Sequence, residues 1–465
     1  MPQPRNVLLI VCDQLRFDCM GPARFQPTRT PHLDALEASG MAFDAAFTPT
    51  PLCCPARQAM LSGARPETFG SLWNYDQGLP ANALEPDRSF WPARLAEAGY
   101  RTGHVGKWHV HPTKSPRDFG LHDEVLDADY LRFRGAKHGE ARAPGGWLGG
   151  TDPVPLEDSM THWYAERAME LLDKYAADPD GRPWLLRLDF HEPHLPCCPA
   201  EPFASRTSAA DARKWPSLDD DFANKPYIQQ QNIRTWKLDG MTWVDWAPAV
   251  ARYMALIEQM DDAIGRLLAR LEARGLADDT VVVFTTDHGD MGGGHRMIDK
   301  HYVMYDDIVR VPLVVRWPGV TPAGARSDAF VLNMTDLAMT LLRMLDPAAP
   351  EIHDARALQP LLDGAPPPAD WRDAVVSTYN GQQFGLYTQR MLRDRRWKYV
   401  WNLTDVDELY DMQEDPAELV NRIDDPALRP MLATMRERLW HELESWGDYP
   451  PKSPWLRAQL LEGRK

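Results

Sequence analysis

Long apolar runs are missing from this chain of 465 residues. None approaches the roughly 18 residues that a membrane-spanning helix needs. The opening run Asn6-Val7-Leu8-Leu9-Ile10-Val11 is too short for the apolar region and cleavage site of a secretory leader, so a cytoplasmic location is expected. Cysteine is scarce, with six residues: Cys12, Cys19, Cys53, Cys54, Cys197 and Cys198. That is too few for a disulfide scaffold in a chain this long. Four of them form two adjacent pairs, which rarely bridge to each other, so thiols in a reducing compartment are expected. Positive charge is in deficit: 51 Lys and Arg stand against 67 Asp and Glu, a formal net charge of -16. This argues against nucleic acid or an anionic membrane as partner, since both need a basic face. It also means that a site for an anion must gather its own local positive charge.

What is present is ordinary for a globular protein: 44% apolar and 25% charged residues. The length suits one large domain and one smaller one. Continuous apolar runs predict buried strands at 6–12, 184–190, 280–286 and 311–316. Helical spacing predicts helices at 31–39, 89–98, 159–176 and 249–274. In the last of these Tyr253, Leu256, Ile257, Met260, Ile264, Leu267, Leu268 and Leu271 share one face. Strands alternating with helices imply an α/β fold with a large, mostly parallel sheet between helices. Ligand sites in such sheets lie beyond the carboxyl ends of the strands. The Pro-rich stretch 359–370 reads as a linker. It divides a catalytic domain, 1–365, from a C-terminal α+β subdomain, 366–465, with short strands over 373–401 and a closing helix at 427–445. The stretch 198–247, long, polar and rich in Trp, reads as a loop.

Two predicted strands end in chemistry. The first ends in Asp13-Gln14 and the strand 280–286 ends in Asp287-His288-Gly289. Asp13, Gln14, Asp287 and His288 form a mostly oxygen ligand set that favours a hard divalent ion, calcium first, with magnesium or manganese as alternatives. The competing reading is that each Asp simply caps the next helix.

Four segments carry a family resemblance. Cys53-Cys54-Pro55-Ala56-Arg57, running on to Leu61-Ser62-Gly63, resembles the sulfatase signature, in which a cysteine two before Pro and four before Arg is oxidised to formylglycine. Cys53 meets that spacing and Cys54 does not; Ala56 and Ser62 stand where Ser and Thr are common. Gly99-Tyr100-Arg101-Thr102, followed by Gly106-Lys107-Trp108-His109, resembles the second sulfatase motif. His191-Glu192-Pro193-His194-Leu195-Pro196 and the stretch from Asp287 to Lys300 resemble two further segments of that family. The resemblance spans roughly 5–425 and is weakest at 110–160 and 198–247.

The resemblance implies an alkaline-phosphatase-like fold and a sulfuric ester hydrolase acting on a small-molecule sulfate ester, of a carbohydrate or another small organic alcohol. It implies a formylglycine-generating enzyme as maturation partner, and Cys53 itself, once modified, as a metal ligand. A geminal diol made from the aldehyde offers one oxygen for attack and a second hydroxyl for release of the sulfate. The implied roles follow. Lys107, Lys300 and Arg57 meet sulfate oxygens, and His109 takes a proton from the second hydroxyl. His194 contacts the bridging ester oxygen. His194 or Lys300 protonates the leaving alcohol, and His191 is structural or binds substrate. His295 and His301 are left unassigned, as structural residues or supports behind the contacting side chains. Trp73, Trp147, Trp215, Trp236, Trp243 and Trp246 are expected in loops, where they pack, stack on a sugar or cover a cation. Two other readings stand beside this one. Asp13-Gln14 resembles the phosphonate monoester hydrolase and phosphodiesterase branch, against which Lys107 and His109 speak; a non-catalytic binding protein on the same fold is the other. A homo-oligomer is left open.

Overall fold

The computed structural model describes residues 6–77, 82–139, 145–352 and 355–463. In chain order the strands are β1 (Asn6–Asp13), β2 (Met41–Phe43), β3 (Ala46–Phe47), β4 (Arg101–Gly106), β5 (Asp123–Leu126), β6 (Trp184–Pro193), β7 (Thr280–Thr286), β8 (Leu313–Arg316), β9 (Ala325–Ser327) and β10 (Val331–Leu332). Eight of them form one sheet, in the order β5-β4-β6-β1-β7-β8-β2-β9. β8 alone runs against its neighbours; the other pairings in this sheet are parallel. β3 and β10 make a separate parallel pair.

β1 explains why the sheet sits at the centre. Its eight residues are all buried, and alternate side chains go to opposite faces of a strand. Leu8, Ile10 and Cys12 join a core built with Tyr253, Ile257, Met260 and Ile264 of the long helix Trp243–Ala273. Val7, Leu9 and Val11 join the core on the other face, with Met60, Leu61, Leu337 and Leu341 from the helices Cys53–Ser62 and Asn333–Leu345. A strand covered by helices on both faces must be apolar throughout, which is how the sequence reads.

The C-terminal strands β11 (Ala374–Asn380), β12 (Thr388–Asp394), β13 (Trp397–Asn402) and β14 (Glu408–Asp411) form an antiparallel sheet in sequence order. One face, with Val376, Leu392, Tyr399 and Trp401, packs on Leu432, Leu439 and Leu443 of the helix Arg429–Ser445. The other face, with Val375, Met391, Val400 and Tyr410, belongs to the core of the large sheet. The Thr378 amide donates to the Pro49 carbonyl at 2.9 Å, so this small sheet is seated directly behind the Cys53 helix.

Two expectations change. The stretch 198–247 is not one loop. It contains the helix Tyr227–Thr235 and the start of the long helix at Trp243, and Trp215 and Trp246 are buried in it. The prediction missed these because their apolar faces are satisfied by tertiary packing rather than by local periodicity. A further helix, Pro454–Glu462, follows the closing one. Part of the supposed linker is packed as well, with Leu361 and Leu362 fully buried. Among the described residues no helix is long and apolar enough to cross a membrane.

Asp448 closes the C-terminal unit: both its oxygens accept from the buried Arg390 guanidinium, at 2.6 and 3.0 Å. Asp448→Ala leaves that cation buried without its counter-charge, which costs about 3–5 kcal/mol. Calorimetry should show a thermal midpoint lowered by several degrees; an unchanged midpoint would rule out this role.

Candidate active site

The parallel register sets the site. Cys12 on β1 lies opposite Thr286 on β7, so the next residues, Asp13 and Asp287, emerge side by side at the carboxyl end of the sheet. β1 stops there because Gln14 takes a left-handed conformation, φ 71°. On the other side, β4 ends in Gly106, where φ is 100° and a Cβ would strike the Asp189 carbonyl. Only glycine permits that approach, and it turns Lys107 into the site.

Cys53 opens the helix Cys53–Ser62. Its sulfur lies 3.2 Å from His288 Nε2 and 3.7 Å from Asp13 Oδ1. Ligand atoms of Asp13, Cys53, Asp287 and His288 all fall within 4.8 Å of one another, fully buried. The His288 Nδ1 lies 2.9 Å from the Gly289 carbonyl, which fixes the tautomer and turns Nε2 to the cluster. Gln14 Nε2 donates to Asp290, and Gln14 Oε1 accepts from Lys300 Nζ at 2.9 Å. Its amide oxygen therefore faces Lys300.

This donor set fits a hard divalent cation. Burial alone would lower the His288 pKa, but Asp287 and the Cys53 sulfur more than offset it, and the imidazole is pushed up to about 9. Burial and the neighbouring Asp13 raise the Asp287 carboxyl. The carboxylates of Asp13 and Asp287 thus stand beside a protonated imidazole, whose proton a bound cation would displace. Burial and Asp13 also oppose charge on the Cys53 sulfur. Lys300, Lys107 and His288 outweigh them and hold its pKa well below that of an ordinary thiol. The surroundings favour an anion at the position from which Cys53 projects.

Above the cluster is a cavity of about 340 Å³, and Cys53, Lys107, His109, His191, His194 and Lys300 all line it. Lys107 Nζ reaches Asp13 at 2.5 Å. Lys300 Nζ lies 3.0 Å from His194 Nε2, while His194 Nδ1 lies 2.6 Å from the Leu195 carbonyl. His109 packs edge-on against Tyr75 and lies 3.7 Å from Asp76. Its two ring nitrogens are buried with no hydrogen-bond partner among the described residues. Burial disfavours its charged form, yet Asp76 and Cys53 raise its pKa above the ordinary value. His191 is held well below, first by burial and then by Lys107.

One expectation is corrected. Arg57 does not face the cavity and cannot meet sulfate oxygens there. It is fully buried, donating to Asp287 at 2.9 Å, Asp189 at 2.6 Å and Asp13 at 3.3 Å. The helix carries it one turn beyond Cys53 on the inward face, into the sheet end rather than the solvent side. The two unassigned histidines part company. His295 pairs with Asp220 and stacks on Tyr305, while His301 lines the cavity, braced by Asp299 at 3.1 Å and Tyr379 at 3.1 Å.

Sequence reasoning missed Asp189, Asp290, Asp299, Tyr75, Asp76 and Gln382. Asp189 had a signal, a carboxylate inside the apolar run of β6. Gln382 had none, since only tertiary folding brings the β11–β12 connection to the cavity.

A model of the sulfatase family matches residues 5–347. The chain belongs to the sulfatase family. It is a sulfuric ester hydrolase of the alkaline phosphatase superfamily. A second model, of the N-sulphoglucosamine sulphohydrolase C-terminal region, matches residues 293–445 of this sulfatase. An arylsulfatase of Clostridium perfringens is 26% identical to it, over 94% of either chain. An N-acetylglucosamine-6-O-sulfatase of Bacteroides thetaiotaomicron is 25% identical, over 90% of this chain and 82% of that one. The crystal structure of a phosphonate monoester hydrolase of Agrobacterium radiobacter superposes with a TM-score of 0.80 at 25% identity, covering 96% of each chain.

Arg57→Lys keeps the positive charge but replaces a planar fork by a single point donor. The carboxylates of Asp13 and Asp287 then lose their fixed orientation. Affinity for a divalent cation, measured by isothermal titration, should fall about 10–100-fold, the usual effect of losing an outer-shell partner of metal ligands. Unchanged affinity would show that Arg57 does not orient them.

Proposed function

We propose that this sulfatase hydrolyses a sulfate monoester of a small organic alcohol, a carbohydrate first, with formylglycine made from Cys53 as the nucleophile. One observation carries the reading: Cys53 sits between a buried cation-type cluster and a cavity lined by Lys107, His109, His194 and Lys300. Calcium is the ion we assign to Asp13, Gln14, Asp287, His288 and residue 53, on the strength of the oxygen-rich set. When bound, it would polarise the oxygens it holds and balance the buried carboxylates. The aldehyde hydrate at residue 53 would supply the attacking oxygen, and a formylglycine-generating enzyme is the partner that must make it.

The remaining steps belong to the chain's own side chains. Lys107 and Lys300 offer ammonium groups to the sulfuryl oxygens, fixed charges in a water-poor pocket. They also resolve the problem of an acidic protein binding an anion. His194 carries its hydrogen on Nδ1, toward the Leu195 carbonyl, so Nε2 accepts from Lys300. The Lys300–His194 pair then forms one proton source for the leaving alcohol. His109, which lines the cavity with Cys53, takes the proton whose loss releases sulfate. Arg57 acts behind the cluster by holding Asp13, Asp189 and Asp287 in place. Six unpaired cysteines support a reducing, cytoplasmic setting.

A second reading, a phosphonate monoester hydrolase or phosphodiesterase, is favoured by Gln14 in the ligand set. Turnover of 4-nitrophenyl sulfate and 4-nitrophenyl phenylphosphonate should be measured side by side, after mass spectrometry of the Cys53 peptide from cells able to oxidise it. The sulfatase reading expects a formylglycine mass and the higher kcat/KM on the sulfate. Phosphonate efficiency equal or greater would reverse the choice, and an unmodified thiol in an active enzyme would remove the nucleophile assignment. His109→Ala should lower kcat on the sulfate by about 10²–10⁴-fold, the range for a lost general base, while a loss below about threefold would reject that role.

A further inference from the structure

The cavity differs electrically between floor and rim. Its floor is cationic and almost closed to solvent: Lys107 is 6% exposed and Lys300 2%. These are the lysines or arginines among its described lining residues. Both are anchored there, Lys107 on Asp13 and Lys300 on Asp299, Gln14 and His194. His191 and His301 add little charge, since burial lowers both pKa values. The more open wall carries the opposite sign. It presents Asp76, whose side chain is half exposed, and Asp127, whose carboxylate is oriented by the Tyr164 hydroxyl at 2.6 Å.

Two further features mark that wall as built for a ligand. Trp147 and Trp236 meet edge to face, with ring centroids 5.3 Å apart, and both line the cavity. Trp147 stays largely exposed, so its apolar ring is open to whatever enters. Gln382 comes from the C-terminal sheet and is 1% exposed. Its Oε1 accepts from the Asn74 amide at 2.7 Å, but its Nε2, buried at the cavity, has no partner among the described residues. A buried donor left in this state is costly unless a ligand or water oxygen completes it.

Resting on the sulfatase reading of this cavity, we propose that the alcohol released from the ester is hydroxylated and carries a positive charge, as a free amino sugar does. Asp76 and Asp127 face the ammonium group, the tryptophan rings cover its apolar side, and Gln382 Nε2 donates to one of its oxygens. The sulfate occupies the lysine floor. A second anionic group on the same sugar, a carboxylate or an N-sulfate, meets these two carboxylates and no lysine or arginine among the described residues of the wall. Like charges brought together in a partly desolvated pocket are strongly disfavoured, and opposite ones attract there more than in water.

The test is kcat/KM on four esters with enzyme whose Cys53 oxidation has been verified: glucosamine 6-sulfate with its free amine, glucose 6-sulfate, glucosamine 2-N,6-O-disulfate and 4-nitrophenyl sulfate. The free amine should be preferred over the disulfate by about thirty-fold or more, with glucose 6-sulfate between them. Asp127→Asn should narrow the ratio of amine to glucose ester to within a few-fold, and Asp127→Glu should retain it. Equal or better turnover of the disulfate overturns the inference. So does an Asp127→Asn ratio that does not move. If 4-nitrophenyl sulfate is cleaved and the sugar esters are not, this inference fails and the sulfatase reading stands. If none of the four is cleaved, both fail.

Discussion

A single buried guanidinium holds the end of the sheet together. Arg57 donates to Asp13, Asp189 and Asp287, which follow or belong to the adjacent parallel strands β1, β6 and β7. Three carboxylates at the closed end of a sheet repel one another and lose their hydration. A delocalised, always-charged fork is the side chain that can satisfy several of them at once. Arg187 adds a second guanidinium on Asp189, with Nε donating at 2.7 Å. With these cations in place, Asp13 and Asp287 can remain buried and pointed at the cluster. Without them Asp189 and Asp287 would lose the guanidinium partners that offset their burial.

The rest of the site is arranged around that constraint. Burial alone would raise the Asp13 carboxyl, but Lys107, His194, Arg57 and His288 together hold it well below the usual range. It therefore stays ionised as a ligand should. The same helix that supplies Arg57 presents Cys53 one turn earlier, and its N-terminus adds a partial positive charge where an anion must be stabilised. Lys107 and Lys300 then serve two purposes. They neutralise Asp13 and Asp299, and under the proposed function the same ammonium groups on the cavity floor are already placed for sulfate. Charges held in place in this way spare a reaction the cost of rearranging them.

The C-terminal sheet is part of this arrangement rather than an appendage. Its inner face completes the core of the large sheet, and Lys398 on β13 donates to the Met304 carbonyl at 3.0 Å, in the segment that follows Lys300 and His301. Through Gln382 it also reaches the substrate cavity. The metal-type cluster comes from the ends of the parallel strands and the start of the Cys53 helix, while the more open wall of the cavity is assembled from connections far apart in sequence.

The sequence by itself picked out the residues that gather at the floor of the cavity. Short buried strands, the Cys53-to-Arg57 spacing, Gly106-Lys107-Trp108-His109 and the strand-end residues Asp13 and Asp287 were legible because each depends on local pattern: continuous apolar runs, helix periodicity, or a motif within about a dozen residues. The α/β class and the mostly parallel sheet followed from the same runs. Tertiary structure alone decided which way Arg57 points, because one helical turn puts a residue either toward a pocket or into the sheet, and the motif is identical in both cases. It alone decided that Trp215 and Trp246 are buried, that His295 is bound to Asp220 while His301 faces the cavity, and that Asp76, Asp127, Trp236 and Gln382 share a wall. Those residues stand apart in the chain, so no spacing relates them. Their proximity exists only after the sheet, the Trp243–Ala273 helix and the C-terminal strands have packed against one another.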